Sequence, residues 1–216
     1  MSLAAGWYAV AIASDIEPGT SAGTRLHGQE LVVWRDRDGA SHVWEDRCPH
    51  RGMRLSFGFV RGNHIACLYH GWAYDTAGQC RSIPAHPDLV VPETIKVATY
   101  AAEEAAGLIF VHSSAGAEAP PLPEFDAAGR ALRSLYLDAA PERVAALLAC
   151  EFEARDSGCH AGTLADTDIL LFLQPFTATR TALHFVMTGD GDALAVSAAA
   201  EALRDRIEAA CLEAAR

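Results

Sequence analysis

Hydrophobic residues are distributed in two different ways along this chain. Up to about residue 115 they form short runs punctuated by Gly, Pro, Asp and Asn. Trp7–Ile12 is one run. Leu31-Val32-Val33-Trp34 is another, and the Asp38-Gly39 pair behind it is a hairpin-turn signal that makes residues 41–44 the return strand. Residues 95–100 and 108–111 form a later pair. Many short strands with such punctuation predict a small antiparallel barrel or sandwich. Residues 113–129 are rich in Ala, Pro, Gly and Ser, and Pro120, Pro121 and Pro123 disfavour helix and sheet alike, so a linker is placed at 116–130.

Beyond the linker the period changes. Pro141 suits a first helical position and is followed by Glu142 and an apolar run through Cys150. Residues 168–174 read as a buried strand and 181–187 as its partner, with 175–180 as the hairpin loop. From about Asp192 the chain is Ala-rich, and Val196, Ala199, Ala200, Leu203, Ile207, Ala210 and Cys211 share one helical face. The prediction is a mainly β first domain over 1–115 and a small α+β domain over 131–216 with its elements in the order αββα. No internal repeat is evident.

Charge and cysteine usage narrow the function classes. The formal net charge of -11 repels phosphate backbones and anionic lipid, so neither nucleic acid nor membrane is an expected partner. No apolar stretch approaches the roughly eighteen residues of a membrane-spanning helix. Residues 1–13 contain no Lys or Arg, unlike a secretory signal. The six cysteines are then expected as ligands or core thiols in a reducing, cytoplasmic setting.

Four side chains carry the chemistry. Cys48-Pro49-His50 and Cys67-Leu68-Tyr69-His70 each pair a thiol with an imidazole, and sixteen residues separate His50 from Cys67. A Rieske-type 2Fe-2S cluster needs this donor set, two cysteines on one iron and two histidines on the other. Zinc is the rival, because Cys2His2 also suits a tetrahedral ion, but zinc fingers group the cysteines together and the histidines together. Here they alternate. Gly52 and Gly71 follow the two motifs and permit tight turns with positive φ.

The run Arg47-Cys48-Pro49-His50-Arg51-Gly52, then Cys67-Leu68-Tyr69-His70-Gly71-Trp72, Tyr74-Asp75, Gly78 and Ile83-Pro84, resembles the Rieske domain of the Rieske non-haem iron oxygenases, the ring-hydroxylating and O-demethylating enzymes. Tyr100 and Gly107-Leu108-Ile109-Phe110-Val111 resemble that domain's closing strands. The resemblance implies a 2Fe-2S cluster on Cys48, His50, Cys67 and His70 and a reductase or ferredoxin as electron donor. In that family a catalytic domain follows, with a mononuclear ferrous iron on two histidines and a carboxylate, often within a trimer. Residues 152–164 resemble a remnant of its iron motif. His160 falls at the second histidine, Asp156 or Arg155 at the first, and Glu153 at the acidic position. Asp205 and Glu208 are the nearest matches to the late carboxylate.

The resemblance therefore implies a shortened, degenerate oxygenase-like domain over 131–216 in which a normal Fe(II) site is not expected. His160 and Asp156 remain as a weak second metal site. The leading expectation is a single-electron oxidoreductase component that serves a separate oxygenase subunit. The alternative is a compact terminal oxygenase, hydroxylating or demethylating an aromatic compound, with an atypical iron site. A sensor or assembly module is a third reading, and a homo-oligomer stays open. Cys80, Cys150, Cys159 and Cys211 are expected as packed or surface thiols. His27, His42, His64, His86, His112 and His184 receive no role.

Overall fold

A computed structural model describes residues 6–115, 119–125 and 129–213 of the chain. The strands in chain order are β1 (Trp7–Ile12), β2 (Ser21–Leu26), β3 (Gln29–Arg35), β4 (Ser41–Glu45), β5 (Phe59–Val60), β6 (His64–Ala66), β7 (Ala73–Asp75), β8 (Cys80–Ser82), β9 (Thr99–Ala105) and β10 (Leu108–Ala115). They continue with β11 (Arg130–Leu137), helix α1 (Pro141–Leu148), β12 (Glu153–Ala154), β13 (Cys159–Leu164), β14 (Thr167–Thr177), β15 (Arg180–Met187) and helix α2 (Ala193–Glu213).

These strands form three antiparallel sheets. Six strands pair in the order β1-β10-β9-β4-β3-β2, and the small sheet β5-β6-β7-β8 is inserted in sequence between β4 and β9. Five strands of the second half pair as β11-β15-β14-β13-β12. The mainly β fold with a smaller α+β part is as expected. The predicted hairpin of β3 and β4 pairs Leu31 with Glu45 and Arg35 with Ser41. The predicted pair β14 and β15 is also present, with Phe172 opposite His184.

Three strands of the second half, β11, β12 and β13, lie beyond the αββα expectation. In β11 a bulge between Ala131 and Arg133 interrupts the inward–outward alternation, so no clean period of two is written in the sequence. In β13 the sequence Cys-His-Ala-Gly-Thr-Leu mixes glycine and histidine into a strand whose first three residues are buried.

Each sheet has its own apolar core. Val33, Val43, Ile109 and Val111 fill the six-stranded sheet. Trp34, Trp44, Leu55, Ile65 and Tyr74 pack together with Cys48 and Cys67. The two helices bury Val144, Leu148, Val196, Ala200, Leu203 and Ile207 against one face of the five-stranded sheet. Its other face packs on the first half through Phe110 and Phe172, edge to face at 5.3 Å between ring centroids.

The described part of the predicted linker takes part in this interface. Residues 119–125 have no regular structure, yet Phe125 stacks on Phe110 at 5.1 Å and the Trp7 indole N–H donates to the Pro120 carbonyl at 2.9 Å. Residues 116–118 and 126–128 lie outside the described residues.

A buried polar chain also joins the halves. Gln174 Nε2 donates to Thr24 Oγ1 (3.0 Å) and to the Arg25 carbonyl (2.6 Å), leaving Gln174 Oε1 to accept from His184 Nε2 at 2.9 Å. His184 Nδ1 then carries no proton and accepts from Ser134 Oγ at 2.7 Å. Burial holds the His184 imidazole down to about 4.

Candidate cluster site

The two motifs sit at the tips of neighbouring loops. The first follows β4 and the second connects β6 to β7. Both loops are closed by the same backbone hydrogen bonds. Cys48 donates its N–H to the Met53 carbonyl (2.8 Å) and accepts from the Gly52 N–H (2.8 Å). Cys67 does the same with the Trp72 carbonyl and the Gly71 N–H, each at 2.9 Å. Each turn therefore needs a left-handed residue four positions after its cysteine, and Gly52 (φ +74°) and Gly71 (φ +70°) supply it. The repeat is one of backbone geometry and leaves little trace in the sequence beyond the glycine spacing.

Burial divides the four side chains by element. Cys48 and Cys67 are buried at 2% and 3% exposure, while His50 is half-buried and His70 exposed. The two imidazoles face each other with centroids 4.5 Å apart. Trp72 stacks flat on His50 at 4.3 Å, and Tyr69 lies against His70 at 3.9 Å. Partial burial, with the neighbouring His70 and Arg51 charges, holds the His50 imidazolium below its usual range, which favours the neutral ring a metal requires.

Burial raises the Cys67 thiol, and backbone N–H groups of Tyr69 and His70 pull the other way by pointing at its sulfur. The Tyr74 hydroxyl lies 3.1 Å from Cys48 Sγ. Tyr74 is fully buried, and its phenol is pushed far up by burial and by the adjoining thiol. Tyr74 was legible only as part of the motif; its contact with sulfur depends on the pairing of β7 with β6 and β8.

The donor set fits a binuclear cluster. Two thiols lie inside, two imidazoles lie outside, and N–H and O–H donors aim at sulfur, as thiolate ligands sharing extra negative charge require. The third thiol of this core, Cys80, is buried, raised by burial and 3.7 Å from the Ser82 carbonyl.

Residues 6–101 match the family described as "Rieske [2Fe-2S] domain". The first half of this chain is a Rieske domain. Sequence relatives extend the resemblance to oxygenases. The chain is 40% identical over 105 residues to oxidoreductase NdmD of Pseudomonas putida, covering 48% of this chain and 18% of that protein. It is 40% identical over 123 residues to the 4beta-methylsterol monooxygenase of Methylococcus capsulatus, covering 54% and 33%. It is 36% identical over 127 residues to the methylxanthine N1-demethylase NdmA of Pseudomonas putida, covering 56% and 36%. The chain thus spans only about a fifth to a third of these curated relatives. In fold, 98% of the chain superposes on 88% of a dicamba monooxygenase crystal structure with a TM-score of 0.75 at 20% identity. It also superposes on the NdmA structure with a TM-score of 0.70, covering 94% and 78% at 24% identity. The Rieske domain and these relatives support a Rieske-type, 2Fe-2S oxidoreductase function.

The residues assigned to the weak second site are placed differently. His160 is buried in β13, with Nδ1 3.3 Å from the Gly158 carbonyl, and burial lowers its imidazolium. Asp156 is exposed in the short turn before that strand. Glu153 pairs with Arg155 and Asp205 with Arg204, and Glu208 accepts the Asp138 N–H at 2.9 Å. Among the described residues, no three His, Cys, Asp or Glu side chains are grouped to hold one metal ion. The Rieske-domain residues are no exception, since a binuclear cluster draws two ligands to each iron. Also among the described residues, no helix is long and apolar enough to cross a membrane.

Proposed function

We propose that Cys48 and Cys67 hold one iron and His50 and His70 the other iron of a Rieske 2Fe-2S cluster, and that the chain passes single electrons through the exposed histidine edge to a separate oxygenase component. The observation that carries this reading is the pair of matched loops, which bring two buried thiols and two outward imidazoles to one tip. The cluster would supply a one-electron couple at roughly -150 to +300 mV, the range set by histidine ligation. The protein supplies its surroundings. Tyr74 and the loop N–H groups donate toward sulfur, Trp72 fixes the plane of His50, and the buried thiol side keeps water away. A reductase or ferredoxin would deliver the electron, and the domain division at 116–130 would place the cluster domain on an α+β support.

A second reading, a compact terminal oxygenase, draws on the likeness of the whole chain to a monooxygenase scaffold. The surroundings of His160 favour the first reading. Iron and acid-labile sulfide analysis separates them: about two irons per chain supports electron transfer alone, and about three supports the oxygenase. An EPR signal of the dithionite-reduced protein that disappears in Cys48→Ser is the expected result. Protein that stays colourless after anaerobic reconstitution would refute both readings.

A further inference from the structure

The six-stranded sheet curls until its two edge strands, β1 and β2, approach each other, but they do not pair. A bulge in β1 takes Val10 out of register, and the Val10 carbonyl accepts from the Thr24 hydroxyl at 3.3 Å in place of a backbone partner on β2. The open seam holds a cavity of about 480 Å³, walled on its far side by β11 and by His184 of β15. None of the four proposed cluster ligands lines it. Val10, Ile12, Ile16 and Val33, all buried, give it an apolar floor. The polar groups around that floor are mostly acceptors. His184 is engaged at both ring nitrogens, and the Ser134 hydroxyl gives its proton to His184 Nδ1, so the Ser134 oxygen keeps only lone pairs for a ligand. Thr24 is engaged by Val10 and Gln174. Arg133, the one cation of the lining, is held by Ser197 Oγ at 2.6 Å and by Glu201 at 2.8 Å. Asp15, exposed at the rim, makes no ion pair among the described residues. Arg35, which bonds the Ala13 and Ile16 carbonyls on either side of it, pairs with Glu104 instead. A ligand therefore meets hydrocarbon, a carboxylate and a hydroxyl oxygen, with the Tyr136 hydroxyl able to act either way.

We propose that this cavity binds a small amphipathic amine, with the ammonium group at Asp15 and the apolar body along Val10, Ile12, Ile16 and Val33. The site is separate from the ligand loops and does not depend on the cluster reading. A cavity of this size, mainly apolar with a few placed polar groups, has the character of a small-molecule site. The charge of the ligand follows from the lining. A carboxylate or phosphate would need donors and would face Asp15, whereas an ammonium brings the donors that Asp15 and Ser134 lack. The net charge of -11 adds long-range attraction for the same cation. Because β1 and β2 stand on one side and β11 on the other, an occupant bridges the two halves and stabilises the folded chain by mass action.

The test uses cluster-loaded protein and probes that share a phenyl ring and differ in charge: phenethylamine, phenethyl alcohol and phenylacetate. Calorimetric titration is expected to show the amine binding with unit stoichiometry, the alcohol binding more weakly, and phenylacetate binding about tenfold more weakly than the amine or worse. Saturating phenethylamine is expected to raise the melting temperature by about 2 °C or more. Asp15→Asn removes a partly exposed charge contact, so it is expected to weaken the amine by about threefold while leaving the alcohol unchanged. Ala22→Trp places an indole at the exposed edge of β2 in the cavity mouth and is expected to abolish binding of all three probes. Far-UV circular dichroism and the EPR signal check that each variant keeps its fold and cluster. No heat with phenethylamine at millimolar concentration, equal affinity for phenylacetate, or full affinity for the amine in either variant would overturn the proposal. Asp15→Asn, a substitution at an exposed position, keeps the test decisive if Ala22→Trp does not fold.

Discussion

The Tyr74 hydroxyl approaches the Cys48 sulfur to 3.1 Å inside the core of the Rieske domain. With a thiolate as partner, only the phenol can donate. The bond strengthens as negative charge accumulates on sulfur, so it favours the reduced state. Tyr74→Phe keeps the ring and removes the donor. A differential of about 1 kcal/mol would lower the reduction potential by about 40 mV. Redox titration followed by EPR measures it, and an unchanged potential would remove Tyr74 from the electron-tuning role.

Gly71→Ala tests the loop design. A Cβ at this position would stand 3.0 Å from Pro84 Cγ while φ stays at +70°. The strain of a left-handed alanine, about 1–2 kcal/mol, falls on the turn that carries His70. Iron and sulfide content are expected to drop while far-UV circular dichroism keeps its strand signature. Full cluster loading in this variant would show that the tight turn is dispensable.

Stability should depend on pH through His184. Its folded pKa of about 4 lies below the unfolded value of 6.5, so at intermediate pH the unfolded chain binds a proton that the folded chain does not. The contribution is fully present above pH 6.5 and declines toward pH 4, by about 1.4 kcal/mol per unit at most. Urea unfolding of the wild type and His184→Gln between pH 7 and 5 isolates it. The variant is expected to be less stable at pH 7 and to lose less on acidification. Parallel pH profiles would contradict the assignment.

His160→Ala addresses the second reading of the function. Buried in β13 and turned toward a backbone carbonyl, His160 is expected to act in packing. The variant should unfold about 1–3 kcal/mol more easily and keep the iron content of the wild type. Loss of one iron per chain on elemental analysis would instead support an oxygenase site.

The elements read directly from sequence were those with a local signature. Trp7–Ile12 stands out as a short apolar run, and the β3–β4 hairpin because its apolar run abuts the Asp38-Gly39 turn. The four proposed ligands stand out because each pair lies within four residues. What escaped notice depends on distant partners. Tyr74 and Cys48 are 26 positions apart, and only the pairing of β7 reveals their contact. His184 reads as an isolated histidine until β11, disguised by its bulge, brings Ser134 beside it. The common scaffold of the two ligand loops was hidden because it is built from backbone atoms, with His50 two places after its cysteine and His70 three.

The fully buried Gln174 amide, bonded across to Thr24 and Arg25, has a mechanical consequence. Swivelling one half against the other would tear several internal bonds at once, so the redox tip is a stationary terminal rather than a swinging arm. Every carrier has to come to it, and throughput should rise with the abundance of visitors until each departure becomes the slow step.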